Sequence, residues 1–243
     1  MKSKAIKPKK PRLFYRGYRG FIKLFKKKVT FYHVGEKLPE GTFILSNHES
    51  TKGPLSWELF YDTKVRMMGN EEMNSGLIRM YKYQSKVYYY EKKHWNLFLS
   101  RIFCLLASPL TYFFYNGLQL ISVRDGVSFK KTITDAVEVI TKFKEHLVIY
   151  PEDSTNGYLK ELEGFKHGFL LVCEYAYKKG YDLPIAVAYI DKEKNTGLVD
   201  EAVLYSKLLE EYKTRENIAN ALKDRCNELG RLDHTKYNKY KNK

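Results

Sequence analysis

Thr42-Phe43-Ile44-Leu45-Ser46-Asn47-His48-Glu49-Ser50-Thr51-Lys52-Gly53-Pro54-Leu55-Ser56-Trp57-Glu58-Leu59-Phe60 is the stretch from which the fold is read. The short apolar run at its start, Thr42 to Ser46, reads as a β-strand, and Leu55 to Phe60 reads as a helix. Between them lies a polar turn carrying His48. A histidine at the exit of a strand and just ahead of a helix stands where α/β proteins place their chemistry, because strand exits on one edge of a sheet line a shared crevice.

The same alternation continues outward. Thr30 to Val34 reads as a strand before this one, and Lys64 to Met68 as a strand after it, ending at Gly69. Residues 71–96 read as helical with weak periodicity. Leu118 to Val123 reads as a strand ending at Arg124. Ser128 to Phe143 is an amphipathic helix, with Phe129, Ile133, Ala136, Val137, Ile140 and Phe143 on one face. Leu147 to Tyr150 is a short apolar strand running into Pro151-Glu152-Asp153. Residues 165–179 form a helix stopped by Gly180, Leu183 to Ile190 a further strand, and residues 206–229 a last helix. Strands alternating with helices predict an α/β domain with a mixed, mostly parallel sheet flanked by helices.

Charge is placed unevenly. The net charge is +15, and residues 1–28 carry twelve Lys or Arg and no acid, leaving +3 for everything after them. This divides the chain into a basic arm (1–29), an α/β domain (30–230) and a short basic tail (231–243). Residues 1–10, rich in Lys and Pro, are expected to be disordered. In residues 11–29, Phe14, Tyr15, Tyr18, Phe21, Ile22 and Phe25 recur at helical spacing among basic residues. That pattern fits a basic amphipathic helix on an anionic membrane surface. It also fits a packed helix with a solvated basic side, or a nucleic-acid-binding arm, although the chain carries no nucleic-acid-binding motif and no nucleic-acid partner is expected.

Residues 97–118 are the most apolar. Their uninterrupted part, Ile102 to Tyr115, is fourteen residues and contains Pro109, short of the roughly 20 that a spanning helix needs. The expectation is a buried or membrane-dipping helix rather than a span. Cys104, Cys173 and Cys226 are scattered and odd in number, which implies neither a disulfide framework nor a metal site. The N-terminus has no continuous apolar segment followed by a small-residue cleavage site, so it does not read as a secretory signal. Together these features place the chain at the cytoplasmic face of a membrane, peripherally held.

Four strand-end segments share an order that resembles a known family. Asn47-His48-Glu49-Ser50, the run Gly117 to Arg124, Ile149-Tyr150-Pro151-Glu152 and Leu183-Pro184-Ile185-Ala186-Val187 are similar to the four motifs of the glycerolipid acyltransferases, the lysophosphatidic acid acyltransferase (PlsC-like) family. Phe165-Lys166-His167-Gly168 is similar to the segment that follows the third motif. The chain departs from the pattern twice. The family's Asp, five residues after the His, is Gly53, and the Gly-Thr-Arg-Ser after the Glu is replaced by Asp153-Ser154-Thr155-Asn156, without the Arg.

The resemblance implies an O-acyltransferase of phospholipid biosynthesis, with no cofactor and no metal. The donor would be an acyl carrier protein or acyl-coenzyme A thioester, and the acceptor a lysophospholipid or related glycerolipid hydroxyl. His48 would be the general base, with Glu152 or Asp153 standing in for the carboxylate missing at Gly53. Asn47, Ser50, Pro151 and Arg124 would contact substrate, Arg124 through phosphate, which a guanidinium binds bidentately. Lys52 and Lys166 would supply further positive charge. A catalytically degenerate, lipid-binding protein of the same fold is the alternative.

Overall fold

The structure, a computed structural model, describes residues 6–10, 13–124, 126–152 and 157–238. In chain order its elements are α1 (Leu13–Phe25), β1 (Thr30–His33), β2 (Phe43–Ser46), α2 (Lys52–Phe60), β3 (Val65–Asn70), α3 (Glu71–Asn74), α4 (Leu77–Lys82), a π-helix (Tyr83–Lys92) and α5 (Leu97–Leu118). These are followed by β4 (Ile121–Val123), α6 (Phe129–Thr141), β5 (His146–Ile149), α7 (Leu170–Lys178), β6 (Pro184–Asp191), β7 (Thr196–Val199), β8 (Val203–Leu204), α8 (Tyr205–Tyr212) and α9 (Arg215–Arg231).

The strands form one sheet in the order β1-β7-β6-β2-β5-β3-β4, with β8 beside β6. Strands β2 to β6 all run in one direction, so their C-terminal ends share one edge. β7 is antiparallel to β6, and β1 follows β7. The expected α/β class with a mixed, mostly parallel sheet is therefore the observed one. β2 is central and buried at every residue. Phe43 and Leu45 pack on one face with α6, α7 and α9, and Ile44 packs on the other with Trp57 of α2 and Tyr15 of α1. Burial on both faces is why this strand reads as a continuous apolar run instead of an alternation.

Several expectations are corrected. Residues 6–10 are docked. Lys9 is buried, its ammonium donating to Glu58 Oε2 at 2.7 Å and to the Val65 carbonyl at 2.9 Å. Arg66, buried as well, pairs with Glu145 at 2.9 Å and donates to the Lys7 carbonyl at 2.8 Å. Lysine-rich composition argues for a solvated arm, but two carboxylates waiting beneath the sheet draw it in. Burial lowers the Lys9 pKa while Glu58 opposes the shift. Leu118 closes α5 instead of opening β4, and the chain turns at Gln119 in a left-handed conformation (φ 52°). The last helix is two, broken at Lys213 (φ 66°) and restarted at Thr214, whose hydroxyl accepts from Asn217 N at 3.2 Å. Short strands β7 and β8 have no counterpart in the sequence reading. Residues 71–96 are helical but divided, ending in a ten-residue π-helix.

α5 is one continuous helix of 22 residues with Pro109 inside it, and it covers the same residues 97–118 as the apolar segment read in the sequence. Asn96 caps it by accepting from Phe98 N at 2.8 Å, and the Thr111 hydroxyl bonds the Ala107 carbonyl one turn from the proline. At 1.5 Å per residue it is about 33 Å long. By length and composition it is apolar enough to associate with or cross a membrane. It is not a core helix, because only 17% of its apolar window is buried. Leu99, Leu105, Leu106 and Leu110 stand in the open. α1 packs against its C-terminal half, with Phe14 on Phe113 at 5.6 Å and Tyr15 over Gly117, where any side chain would collide with the ring. Leu13, Phe14, Phe21, Leu24 and Phe25 of α1 are exposed too, so the two helices present two adjoining apolar surfaces. Tyr15 is the exception. It points inward and donates to Glu58 Oε1 at 2.9 Å.

Candidate functional site

β2, β5 and β6 lie side by side and end at one edge, which brings Asn47, His48, Pro151, Glu152 and Ile190 together. Asn47 is buried and spends its amide on β6. Its Nδ2 donates to the Ile190 carbonyl at 3.0 Å, and its Oδ1 accepts from Ile190 N at 2.7 Å. That latch fixes the first residue of the turn. The turn then passes through two consecutive left-handed residues, Glu49 (φ 43°) and Ser50 (φ 56°), neither of them glycine. Such strain costs on the order of 1 kcal/mol per residue and persists only where surroundings over-determine it. Here Glu49 is buried and held by Lys192 at 2.9 Å. Lys52 is held as well, donating to the Lys192 carbonyl and to Asn195 Oδ1, the latter at 2.9 Å. Burial and the nearby Lys27 lower its pKa.

The imidazole of His48 lies between two tyrosines. Tyr158 stacks on it at 4.9 Å with 17° between the planes, and Tyr150 meets it edge-on at 4.7 Å. Tyr150 is itself pinned by a 3.4 Å contact from its hydroxyl to Met67 Sδ on β3. Glu152 is buried, and its Oε1 accepts from the His48 backbone N–H at 3.0 Å. Its carboxylate thus secures the turn through the main chain. Burial raises its pKa to about 7, with the His48 N–H opposing and Glu49 adding to the shift.

That shift has a sign. A carboxyl group whose folded pKa is about 7, against an ordinary 4.5, contributes stability at low pH that is lost as pH rises from 4.5 through 7. Glu152→Gln keeps an acceptor for the His48 N–H and buries no charge. Its stability relative to wild type is therefore expected to rise by about 2 kcal/mol between pH 5 and pH 8. Urea denaturation at the two pH values measures this, and a pH-independent difference refutes it.

Gly53 explains more than an absent carboxylate. A Cβ built there meets the His48 carbonyl oxygen at 2.2 Å and its carbon at 2.9 Å. The start of α2 is packed directly on the histidine's own backbone, and no side chain fits without moving the turn. Gly53→Ala is expected to destabilise the fold by about 2 kcal/mol or more in equilibrium denaturation, because the obstacle is backbone that cannot rotate away. Gly53→Asp is expected to lose at least as much. An unchanged midpoint for either refutes the packing argument.

The remaining candidates are spread out. Ser50 is half-buried within the strained turn. Pro151 is buried, and its carbonyl accepts from Lys166 N at 2.7 Å, beside a bridge between Glu152 and Phe165. The Lys166 side chain is exposed. Arg124 leaves β4 on the same edge, but β5 and β3 separate β4 from β2, about 14 Å at the strand axes. Its guanidinium pairs with Glu71 at 3.5 Å and Asp135 at 3.6 Å. Pro184 opens β6 and so lies at the opposite edge, where it is structural. Asp153 lies outside the described residues. The sequence reading missed Tyr150 and Tyr158. Tyr150 had a signal, since it directly precedes Pro151-Glu152 at a strand exit, whereas Tyr158 is placed only by the fold. Among the described residues, no group of three His, Cys, Asp or Glu side chains is arranged to hold a metal ion. Compared with known proteins, the sequence matches no family model and no curated protein.

Proposed function

We propose that this protein is an O-acyltransferase held at a membrane surface, moving a fatty acyl group from a thioester to the hydroxyl of a lysolipid. The supporting observation is the placement of His48 at the exit of the central strand, between two tyrosine rings and on a turn fixed by buried Glu152. His48 takes the proton of the acceptor hydroxyl as its oxygen attacks the thioester carbonyl. The carbon–sulfur bond then breaks, and the proton passes to the departing thiolate. No carboxylate is available at position 53 to steady the imidazolium that forms. The π-face of Tyr158 supplies part of that stabilisation, since a cation stacked on an aromatic face is attracted by the ring quadrupole.

The donor is an acyl carrier protein or acyl-coenzyme A thioester. The basic surface suits an acidic carrier protein. The adjoining exposed apolar surfaces of α1 and α5 hold the enzyme peripherally on the cytoplasmic leaflet, where the acceptor resides. The basic residues of the N-terminal arm meet its anionic headgroups.

The packing of Gly53 on the His48 backbone favours a second reading, a lipid-binding protein of the same fold without catalysis. Acyl transfer by wild type beside His48→Ala, from labelled thioester donors to lysolipids in vesicles, separates the two. Transfer that disappears in the variant supports the enzyme. No transfer from either protein, with vesicle binding intact, supports the second reading.

A further inference from the structure

The two sides of α5 differ sharply. Phe98, Leu99, Ile102, Leu106, Leu110 and Phe113 are exposed, and at roughly 100° per residue they fall within an arc of about 120°. From Phe98 to Phe113 that arc holds no polar side chain. The buried positions, Ser100, Cys104, Ser108 and Leu118, fall on the opposite side. Arg101, the one charged residue of the helix, stands outside the apolar arc, where a long side chain carries its guanidinium to water.

The covered side is held by the rest of the protein along most of its length. α1, α3, α4 and the π-helix all pack on α5. The Ser108 hydroxyl donates to Gln84 Oε1 of the π-helix at 2.9 Å, and Tyr89 meets Phe103 at 5.1 Å. Farther along, Phe14 of α1 meets Phe113 at 5.6 Å, and Tyr15 lies over Gly117. Each of these four elements carries exposed charge, such as Lys23 on α1, Glu72 on α3, Lys82 on α4 and Lys86 on the π-helix. A bilayer crossed by α5 would therefore have to take charged neighbours into its hydrocarbon, among the costliest placements for a side chain. A helix lying in the membrane plane sinks its apolar arc alone and leaves those charges among headgroups and water.

The composition of the arc points to lipid as its occupant. A specific protein interface has a polar rim and about one hydrogen bond per 100–200 Å². The arc offers no group to make them. The basic arm adjoins it through Phe14, and residues 1–28 hold twelve Lys or Arg and no acid, a charge that complements anionic headgroups.

We propose that α5 lies flat in a single leaflet, with the arc from Phe98 to Phe113 among the acyl chains, and does not span the bilayer. The inference rests on the membrane-held part of the proposed function, deepens it, and is independent of acyl transfer. Tyr115 lies on the covered side by the same count, and burial, followed by the phenols of Tyr88, Tyr83 and Tyr158, pushes its own phenol up to about 12. Tyr158 is the ring stacked on His48. A flat α5 thus keeps the His48 edge beside the leaflet that it enters.

The test reads depth at three points along the helix. Leu99→Trp, Leu106→Trp and Phe113→Trp are made singly in a Trp95→Phe background, which leaves only buried Trp57 besides the probe. Tyr177→Trp is the control, on α7 at the other face of the sheet. Each protein is bound to phosphatidylcholine–phosphatidylglycerol vesicles that carry bromine either near the carbonyl or near the chain ends, and fluorescence quenching gives the depth. Circular dichroism checks each fold, and Leu110→Trp, about 6 Å from Leu106, replaces Phe113→Trp if that variant does not fold. A flat helix is expected to hold the three probes within about 3 Å of one depth, about 5–10 Å below the headgroup boundary, with the control unquenched. A spanning helix puts the Leu106 probe about 10 Å deeper than the other two, and that result overturns the proposal. Three unquenched probes in protein that sediments with the vesicles overturn it as well, and sedimentation velocity without lipid then shows whether a second copy of the chain covers the arc. Failure to bind vesicles at all overturns both the inference and the membrane-held reading. A flat profile in a protein that shows no acyl transfer supports the inference while the catalytic reading falls.

Discussion

His48→Ala is expected to reduce acyl transfer by about 10²–10⁴-fold while leaving vesicle binding within about 3-fold of wild type. The size follows from the role. Without the imidazole, the acceptor hydroxyl must lose its proton to water as it attacks, and positioned general bases contribute in that range. Vesicle binding is spared because the apolar faces of α1 and α5 lie elsewhere on the molecule. The flanking rings sharpen the test. Tyr158→Ala removes the stacked face from the imidazolium and is expected to lower kcat by about 10-fold, with a smaller effect on KM, since the charge exists only in the transition state. Tyr158→Phe keeps that face and is expected to stay within about 3-fold of wild type. A fully active His48→Ala protein, or a Tyr158→Phe loss as large as that of Tyr158→Ala, removes the mechanism.

The second large effect concerns the membrane. Leu99, Leu106 and Leu110 of α5 are 60%, 74% and 57% exposed, so serine at these positions disturbs little internal packing. Each leucine buried in lipid is worth about 1.5 kcal/mol or more, and three together weaken partitioning onto vesicles by about 10³-fold. Vesicle sedimentation at fixed lipid measures this, and circular dichroism checks that the fold is retained. Raising salt is expected to weaken binding further only where anionic lipid is present, because the basic residues of the N-terminal arm act through screened charge. Undiminished partitioning of the triple variant removes α5 from the membrane contact.

The apolar runs around Phe43, Val65, Leu147 and Ile185, each followed by a helical period, were enough to specify the sheet and its dominant direction. Burial on both faces leaves a mark on every residue of a strand, and that mark survives in one dimension. The position of His48 at a strand exit was legible for the same reason. The span of α5 was legible too, since the apolar segment 97–118 is the helix, but its exposure was not: which of its faces are covered depends on partners such as Tyr15 over Gly117, which lie far apart in the chain. Nor could composition show that Lys9 would be drawn onto Glu58, because a buried ion pair is a property of two distant residues.

At the candidate site the chain by itself determined which chemical groups exist: one imidazole after the central strand, the carboxyl groups of Glu152 and Asp153 after its neighbour, and no acid at position 53. Only the tertiary structure decided what they face. Glu152 is aimed at the His48 backbone, and the imidazole is flanked by Tyr150 and Tyr158. The physical reason is that directed, short-range interactions between side chains depend on distances of a few ångströms. Those distances are set by how helices and strands pack, and spacing along the sequence carries no record of them.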